Sequence, residues 1–258
     1  MNNTPSDLPE ELIPEFTRTK DIVYGFMKWI QFCIMDTARD SSFNQNHMLS
    51  FLHQDILETL MSVPINIAQG IHNPAIRESR YLLELCIKLT YIQSTSYSST
   101  IESKLTEFNR QLADTSISLK NRISLTYFTD DLKADFLEEV GRLYGETSSY
   151  VHLTPKSIEY RQNRLSSGRI MGRESPDDLN NVNNLLERMY AVAISFLSHS
   201  MPQYVIGDWH VDRNGELIQW HYIHSKYVAA IDGNFDYKHE RQKILDEVKQ
   251  QREAGINF

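Results

Sequence analysis

The residues from Leu143 to Pro155, LYGETSSYVHLTP, place one histidine among hydroxyl side chains at the end of a helical pattern. An imidazole that titrates near neutral pH can act as a general acid or base, and it needs only a nearby hydroxyl or water. His152, with Ser149 one turn earlier, is therefore the first candidate for catalysis or recognition. The alternative is that His152 hydrogen-bonds a backbone carbonyl or packs between helices.

A basic segment follows this histidine. Residues 156–173, KSIEYRQNRLSSGRIMGR, contain a single acid, Glu159. The cations in the segment are Lys156, Arg161, Arg164, Arg169 and Arg173. Cations among serines and glycines beside a histidine are suited to positioning phosphate groups of a nucleic acid. A solvated flexible loop would have the same composition, so both interpretations remain open.

A second set of polar residues lies near the C-terminal end of the chain. Residues 204–223, YVIGDWHVDRNGELIQWHYI, contain two alternating runs around Asn214-Gly215, a pattern that predicts a β-hairpin. On such a hairpin Asp208, His210, Asp212 and His221 converge on one face, as oxygen and nitrogen ligands for a divalent ion. A strand surface that faces water shows the same alternation. The sequence therefore favours no metal and predicts no cofactor.

The elements that must position these residues are predicted to be mainly helical. The 258-residue chain has only ten glycines and eight prolines, which favours helices over many short strands. Apolar residues recur at helical spacing in the segments 17–37 and 47–62, the second ending before Pro64, and also after Asn73-Pro74, after Thr129 or Asp130, and after Ser175-Pro176. A final helix at 236–253 has a thin apolar stripe, which suits docking at an edge or onto a partner.

Three regions follow from these patterns: a loosely ordered acidic lead-in at 1–16, a helical bundle at 17–200, and a hairpin with a final helix at 201–258. The lead-in lacks the features of a secretory signal, and no apolar stretch is long enough to span a bilayer. Cys33 and Cys86 lie in apolar helical patterns, which favours buried thiols and a cytoplasmic location. The net charge of −8 argues against wholesale wrapping of nucleic acid.

The Arg-led apolar segment IRESRYLLELCIKLTYIQ, which begins at Ile76, precedes a helix that ends in SSYVHLTP. This pairing resembles the HEPN superfamily of helical bundles, over residues 17–200 at most. The resemblance implies a place in prokaryotic toxin–antitoxin or phage-defence systems, where many members are metal-independent ribonucleases that act as dimers. The family's signature is an arginine followed after four to six residues by a histidine. Only the histidine maps here, as His152, because Gly145, Glu146 and Thr147 occupy the positions of the arginine.

Two functions remain for such a protein. The first is a non-catalytic subunit or regulator of a prokaryotic defence or toxin–antitoxin assembly. Such a subunit binds protein partners, and a homodimer is one possible arrangement. The second is a metal-independent endoribonuclease in which His152 is the acid or base and Arg77 or Arg80, from the neighbouring helix, stabilises phosphate charge. In that case RNA is the partner and Lys156, Arg161 and Arg164 position it.

Overall fold

The computed structural model describes residues 8–95, 97–111, 116–152, 155–168, 174–241 and 243–258, and within these ranges the chain is mainly helical, as predicted. The α-helices in chain order are α1 (Ile13–Thr37), α2 (Phe43–Asn46), α3 (Met48–Ala68), α4 (His72–Thr95), α5 (Ile101–Arg110), α6 (Ser116–Leu119), α7 (Asp130–Val151), α8 (Pro155–Ser166), α9 (Pro176–Ser198), α10 (Gln203–His210), α11 (Lys226–Gly233), α12 (Asp236–Arg241) and α13 (Leu245–Gly255). Helices α1, α3, α4 and α9 pack in that order into a ring, and α7 packs against α4 and α9. None of the helices in these ranges is long and apolar enough to cross a membrane.

Helix α9 is the centre of the bundle, because it contacts α1, α4, α7 and α11. Its start agrees with the sequence prediction. The Ser175 hydroxyl accepts a hydrogen bond from the backbone N–H of Asp178, and the Asp178 carboxylate accepts one from the backbone N–H of Ser175. This reciprocal capping satisfies two N–H groups that a helix end otherwise leaves without partners. Almost every side chain from Leu185 to Ser198 is buried, since other helices cover α9 on several sides.

The lead-in is shorter than predicted. A 3-10 helix spans Glu10–Leu12 and α1 begins at Ile13, with Leu12 and Phe16 buried in the core. Burial of these side chains holds the segment against the bundle despite its acidic composition. The predicted loosely ordered segment is therefore wrong from residue 8 onward, and residues 1–7 lie outside the described part of the chain.

Proline does not end α3, as the sequence suggested it would. The helix continues through Pro64 to Ala68. A proline inside a helix removes one backbone hydrogen bond, and its ring clashes with the carbonyl of the preceding turn. Here the buried side chains of Leu60, Val63 and Ile67 lie on both sides of the proline, so packing maintains the helix through it.

The predicted β-hairpin is wrong. Residues 203–210 form α10, and no strand occurs in the described ranges. The Asn-Gly turn is real, because Gly215 has a φ of +83° and the Asp212 carboxylate accepts hydrogen bonds from the backbone of Asn214 and Glu216. Only a single bridge, between Val211 and Leu217, closes this loop. The final helix also differs from the prediction: α12 and α13 are separated near Lys243, whose φ is +60°.

The C-terminal segment closes one side of the bundle. A 3-10 helix, His221–His224, contacts α1 and α11, and the buried Tyr222 hydroxyl donates to the carbonyl of Ile22 at 2.8 Å. Gly25 allows this approach, since a Cβ there would lie 3.1 Å from the Tyr222 ring. The 201–258 region is therefore packed against the bundle through an aromatic side chain.

Candidate functional site

A polar cleft of about 480 Å³ lies between α7 and α9. Its lining residues are Gly145, Glu146, Ser149, Tyr150, Asn181, Asn184, Leu185 and Arg188. A cleft of this volume is large enough for a small ligand or for side chains of a partner. A Cβ at Gly145 would meet nothing within 4 Å, so the floor of the cleft is open.

Arg188 lies in the cleft and is fully engaged with two carboxylates. Its Nε donates to Glu139 at 2.6 Å, and its Nη1 and Nη2 donate to the two oxygens of Glu146 at 2.8 and 3.0 Å. Partial burial disfavours the charged guanidinium, but the hydrogen bonds to Glu146 and Glu139 raise the pKa of Arg188 above its usual value. We call these three residues the Arg188 network. It presents both signs of charge to the cleft.

Polar contacts continue from the cleft to α1. Arg18 donates to Asn180 at 2.7 Å, to Asn184 at 2.6 Å and to Glu187 at 2.5 Å. His221 Nε2 lies 2.9 Å from Glu187 Oε1 on the same carboxylate. Burial favours the neutral acid, yet the His221 and Arg18 contacts hold the pKa of Glu187 below its usual value. The contact between the N-terminal half of α9 and α1 therefore includes asparagine and charged side chains.

The two predicted residues of α7 lie near its C-terminal end. His152 is exposed and forms the C-cap of α7, with an extended backbone and its N–H donating to the carbonyl of Ser148 at 2.9 Å. Ser149, three residues earlier, lines the cleft, and His152 is not among the lining residues.

The arginines proposed as phosphate stabilisers have other surroundings. The Arg80 guanidinium stacks 3.4 Å from the centre of the Tyr144 ring. It donates to Glu84 at 2.6 Å, to the carbonyl of Tyr144 at 3.0 Å and to Thr147 at 2.6 Å. Arg80 therefore ties α4 to α7. Arg77 is exposed on α4.

The basic segment forms a helix over part of its length. Residues 155–166 form α8, which packs against α7. Arg161 is exposed on it, and so are the apolar side chains of Ile158 and Leu165. The side chains of Lys156 and Arg164, and all of Arg169 and Arg173, lie outside the part of the chain that the structure describes.

The proposed metal ligands of the hairpin do not converge. Asp208 pairs with Arg39 at 2.5 Å and Lys238 at 2.7 Å, while Asp212 caps its own loop. His210 is buried beside Asp232, and His221 contacts Glu187. The shared face depended on strand alternation, and a helix at 203–210 separates these side chains. Within the described ranges, no group of three or more His, Cys, Asp or Glu is arranged to hold a metal ion.

Sequence reasoning missed Arg188 and the asparagines of α9. The asparagine-rich stretch NNVNN, residues 180–184, was a usable signal, because an amphipathic helix rarely needs four asparagines within five positions. Comparison with known proteins found no matching family model, no similar curated protein and no similar solved structure.

Proposed function

We propose that this protein is a non-catalytic subunit or regulator of a multi-subunit assembly, and that it binds a protein partner through the α7–α9 cleft and the exposed side of α8. The observation that carries this proposal is that the arginines on and next to α7 are already paired. Arg188, which lines the cleft, pairs with Glu139 and Glu146, and Arg80 on α4 and Arg142 on α7 also pair with glutamates. Stabilising a scissile phosphate needs a guanidinium aimed at the developing charge.

The charge of the cleft supports the same conclusion. Glu146 lies in the cleft, and Glu139 lies behind Arg188. The Arg188 network therefore holds one cation against two carboxylates. An RNA phosphate approaching this site meets net negative charge, whereas cationic and amide side chains of a protein find acceptors there.

The exposed side of α8 offers apolar contacts next to the cleft. Ile158 and Leu165, seven residues apart and therefore on one side of the helix, are 46% and 64% exposed. Arg161 is exposed on the same helix. An apolar pair with a neighbouring arginine is typical of a helix that docks against a partner protein.

The resemblance of α4 and α7 to the HEPN superfamily suggests the kind of assembly. Prokaryotic toxin–antitoxin and phage-defence systems contain helical proteins of this pattern, and in the cytoplasm such a subunit would act through its partners. The displaced arginine of the catalytic motif, together with the glutamate at position 146, supports a binding role within that class.

Purification from the native host tests this proposal. We expect the full-length protein to elute with a stoichiometric protein partner, and Leu165→Asp to remove that partner. The matched control is Ile65→Asp on α3, because Ile65 is 63% exposed and lies away from the cleft. If both variants retain the partner equally and their thermal midpoints are unchanged, the exposed side of α8 does not bind the partner.

A metal-independent endoribonuclease is the second candidate, favoured by the exposed imidazole of His152 next to Ser149. Here the purified protein would cleave RNA in the presence of EDTA, and His152→Ala would abolish cleavage without unfolding the protein. The proposed non-catalytic role requires that parent and variant show the same background RNA cleavage.

A further inference from the structure

Two buried histidine nitrogens, His210 Nδ1 and His239 Nε2, lie near the same buried carboxylate oxygen, Asp232 Oδ1, and none of the three atoms has a hydrogen-bond partner. His210 Nδ1 lies 3.7 Å and His239 Nε2 lies 4.0 Å from Asp232 Oδ1. These distances exceed the length of a direct hydrogen bond, about 3.2 Å at most. His210 is 1% exposed, and the other two residues are fully buried. Buried polar atoms in folded proteins almost always have a partner.

We propose that these three atoms, which we call the His-Asp-His triad, bind one buried water molecule that links α10, α11 and α12. Two atoms that each lie about 2.8 Å from one water oxygen are about 4.0 Å apart at a right angle and about 4.6 Å apart at the tetrahedral angle. The observed 3.7 and 4.0 Å are close to the right-angle value. Two or more polar partners are what a buried water requires.

Charge and distance argue against a metal ion in the same place. Ligand atoms of tetrahedral zinc lie about 3.4 Å apart, which is shorter than either distance in the triad. The second oxygen of Asp232 already accepts a hydrogen bond from Arg252 Nε at 2.6 Å. A guanidinium on the same carboxylate repels a dication and neutralises the ligand that would attract it.

Counting hydrogens identifies the protonated member of the triad. His239 Nδ1 must donate to the carbonyl of Gly215, because a carbonyl only accepts. The water can donate two hydrogens, so three acceptor atoms cannot all be satisfied, and one imidazole nitrogen must donate to the water. Burial lowers the pKa of His210 to about 4. For His239 burial also favours the neutral ring, but Asp232 and the Gly215 carbonyl outweigh it and raise the pKa. With both nitrogens protonated, His239 donates from Nε2 to the water, and neutral His210 accepts at Nδ1 when its own hydrogen lies on Nε2.

With His239 protonated, the buried positive and negative charges around the triad are equal in number. His239 and Arg252 are cationic, and Asp232 and Asp236 are anionic, with Arg252 Nη2 donating to Asp236 at 2.8 Å. Lys238 also faces His210 and is paired with Asp208. The charges of His239 and Arg252 are thus balanced by Asp232 and Asp236 in a cluster that joins α10, α11, α12, α13 and the loop at Gly215, and the exposed Lys249 lies 3.8 Å from Asp236 at its edge. Burying a neutral cluster costs far less than burying an unpaired charge.

This cluster makes the C-terminal region sensitive to alkaline pH. A histidine whose folded pKa is raised contributes stability that is complete below the unfolded value of about 6.5 and is lost as the pH rises through the folded pKa. Loss of the His239 proton removes one of the cations beside the buried Asp232 carboxylate, so that Arg252 alone compensates its charge. The contacts between the helices then weaken.

Nitrogen NMR of the histidine rings in the parent protein is the direct test. We expect His239 to lose its second proton at a higher pH than an ordinary histidine, His210 to be neutral at pH 7, and a water resonance to show a cross-relaxation contact with the His239 ring. Metal analysis should find no stoichiometric ion. A His239 pKa at or below the ordinary histidine value, the absence of the water contact, or one bound zinc per chain would overturn the proposal.

Variants give a second readout. His239→Gln should reduce the fall in unfolding midpoint that we expect of the parent as the pH rises through the pKa of His239. The matched control is His224→Gln, since His224 also contacts a backbone carbonyl, that of Gly255 at 2.7 Å, and should keep the alkaline fall. An unchanged alkaline fall in His239→Gln would contradict the triad, and the NMR result on the parent decides the question if that variant does not fold.

Discussion

Two arginines of this protein each bridge two carboxylates, in very different surroundings. Arg188 lies in the open cleft, has 31% of its side chain exposed and binds Glu139 and Glu146. Arg252 has 10% of its side chain exposed and binds Asp232 and Asp236, of which Asp232 is fully buried. We call the second group the Arg252 network. Both networks consist of one arginine paired with two carboxylates, but water reaches the Arg188 network more easily than the Arg252 network.

Because of that difference, we assign the Arg188 network to partner binding and the Arg252 network to the stability of the fold. Water screens the Arg188 network and can replace either partner, so its ion pairs contribute little stability and remain free to rearrange around a ligand. The Arg252 network cannot exchange its partners for water, and removing one ion leaves another uncompensated. The open network is therefore suited to binding, while the buried one holds α11, α12 and α13 together.

Acidification should have the largest effect, and it acts on the buried network through His210. Burial lowers the pKa values of His47, His199 and His210 to about 4. A lowered histidine pKa contributes stability that is present above about pH 6.5 and is lost as the pH falls toward the folded value. At pH 5 the loss is about 2 kcal/mol for each histidine. Urea unfolding at pH 7 and pH 5 measures it, and His210→Asn should reduce the loss by about one third. Identical pH dependence in parent and variant would contradict this assignment.

Removal of the buried arginine should be the next largest effect. Arg252→Ala leaves the buried Asp232 carboxylate with only His210 and His239 beside it, at 3.7 and 4.0 Å. Removing one partner of a buried ion pair costs about 3–5 kcal/mol in the free energy of unfolding, and the nearby His239 places the expected cost at the lower end of that range. Chemical denaturation at pH 7 measures the change. A cost below about 1 kcal/mol would show that water reaches Asp232 as easily as it reaches Glu146.

Two helical glycines test how tightly each region is packed. A Cβ at Gly207 would lie 2.7 Å from the Phe235 ring, whereas a Cβ at Gly145 would meet nothing within 4 Å. Gly207→Ala should therefore cost about 1–3 kcal/mol through overpacking. Gly145→Ala should stabilise the protein by about 0.5–1 kcal/mol, because alanine is the better helix former. Thermal unfolding of both variants gives the comparison, and destabilisation by Gly145→Ala would mean that the cleft is closed.

The smallest stability effect belongs to the open network. Arg188→Ala should cost about 1 kcal/mol or less, because the pairs are partly exposed. The same variant should weaken binding of the co-purified partner, since Glu146 in the cleft then lacks its cation, whereas Glu139 keeps Arg142 at 3.4 Å. Partner retention and urea unfolding measured on one preparation separate the two effects. A large loss of stability with unchanged binding would reverse the roles that we assign to the two networks.

Helical periodicity was sufficient to predict that α1, α4 and α9 are helices of a bundle, although α9 is buried on several sides rather than along one stripe. It failed at 203–210, where Val205, Ile206 and His210 are buried in a helix although the residues also alternate like a strand. Short segments carry too few residues to separate a period of 2 from one of 3.6. The Asn214-Gly215 turn was correctly located, but the residues on its two sides do not pair as the two strands of a hairpin.

The candidate site was only partly visible in the sequence. His152 and Ser149 are neighbours along one helix, so their relation could be predicted from spacing. The ion pairs of Arg188 with Glu139 and Glu146 join residues more than forty positions apart, and only the packing of α7 on α9 brings them together. Arg80 illustrates the same limit, because its stacking on Tyr144 depends on the distance between two helices rather than on either sequence segment.

The hydrogen bond from Tyr222 to the carbonyl of Ile22 spans 200 residues and has a consequence for synthesis on the ribosome. Helix α1 is synthesised about 200 residues before the ring that covers its middle. Until then the nascent bundle exposes an apolar surface around Gly25, because Tyr222 is what covers it. Such surfaces bind chaperones or aggregate. Slow translation between α9 and Tyr222 should therefore lower the yield of folded protein more than slow translation of α3 or α4.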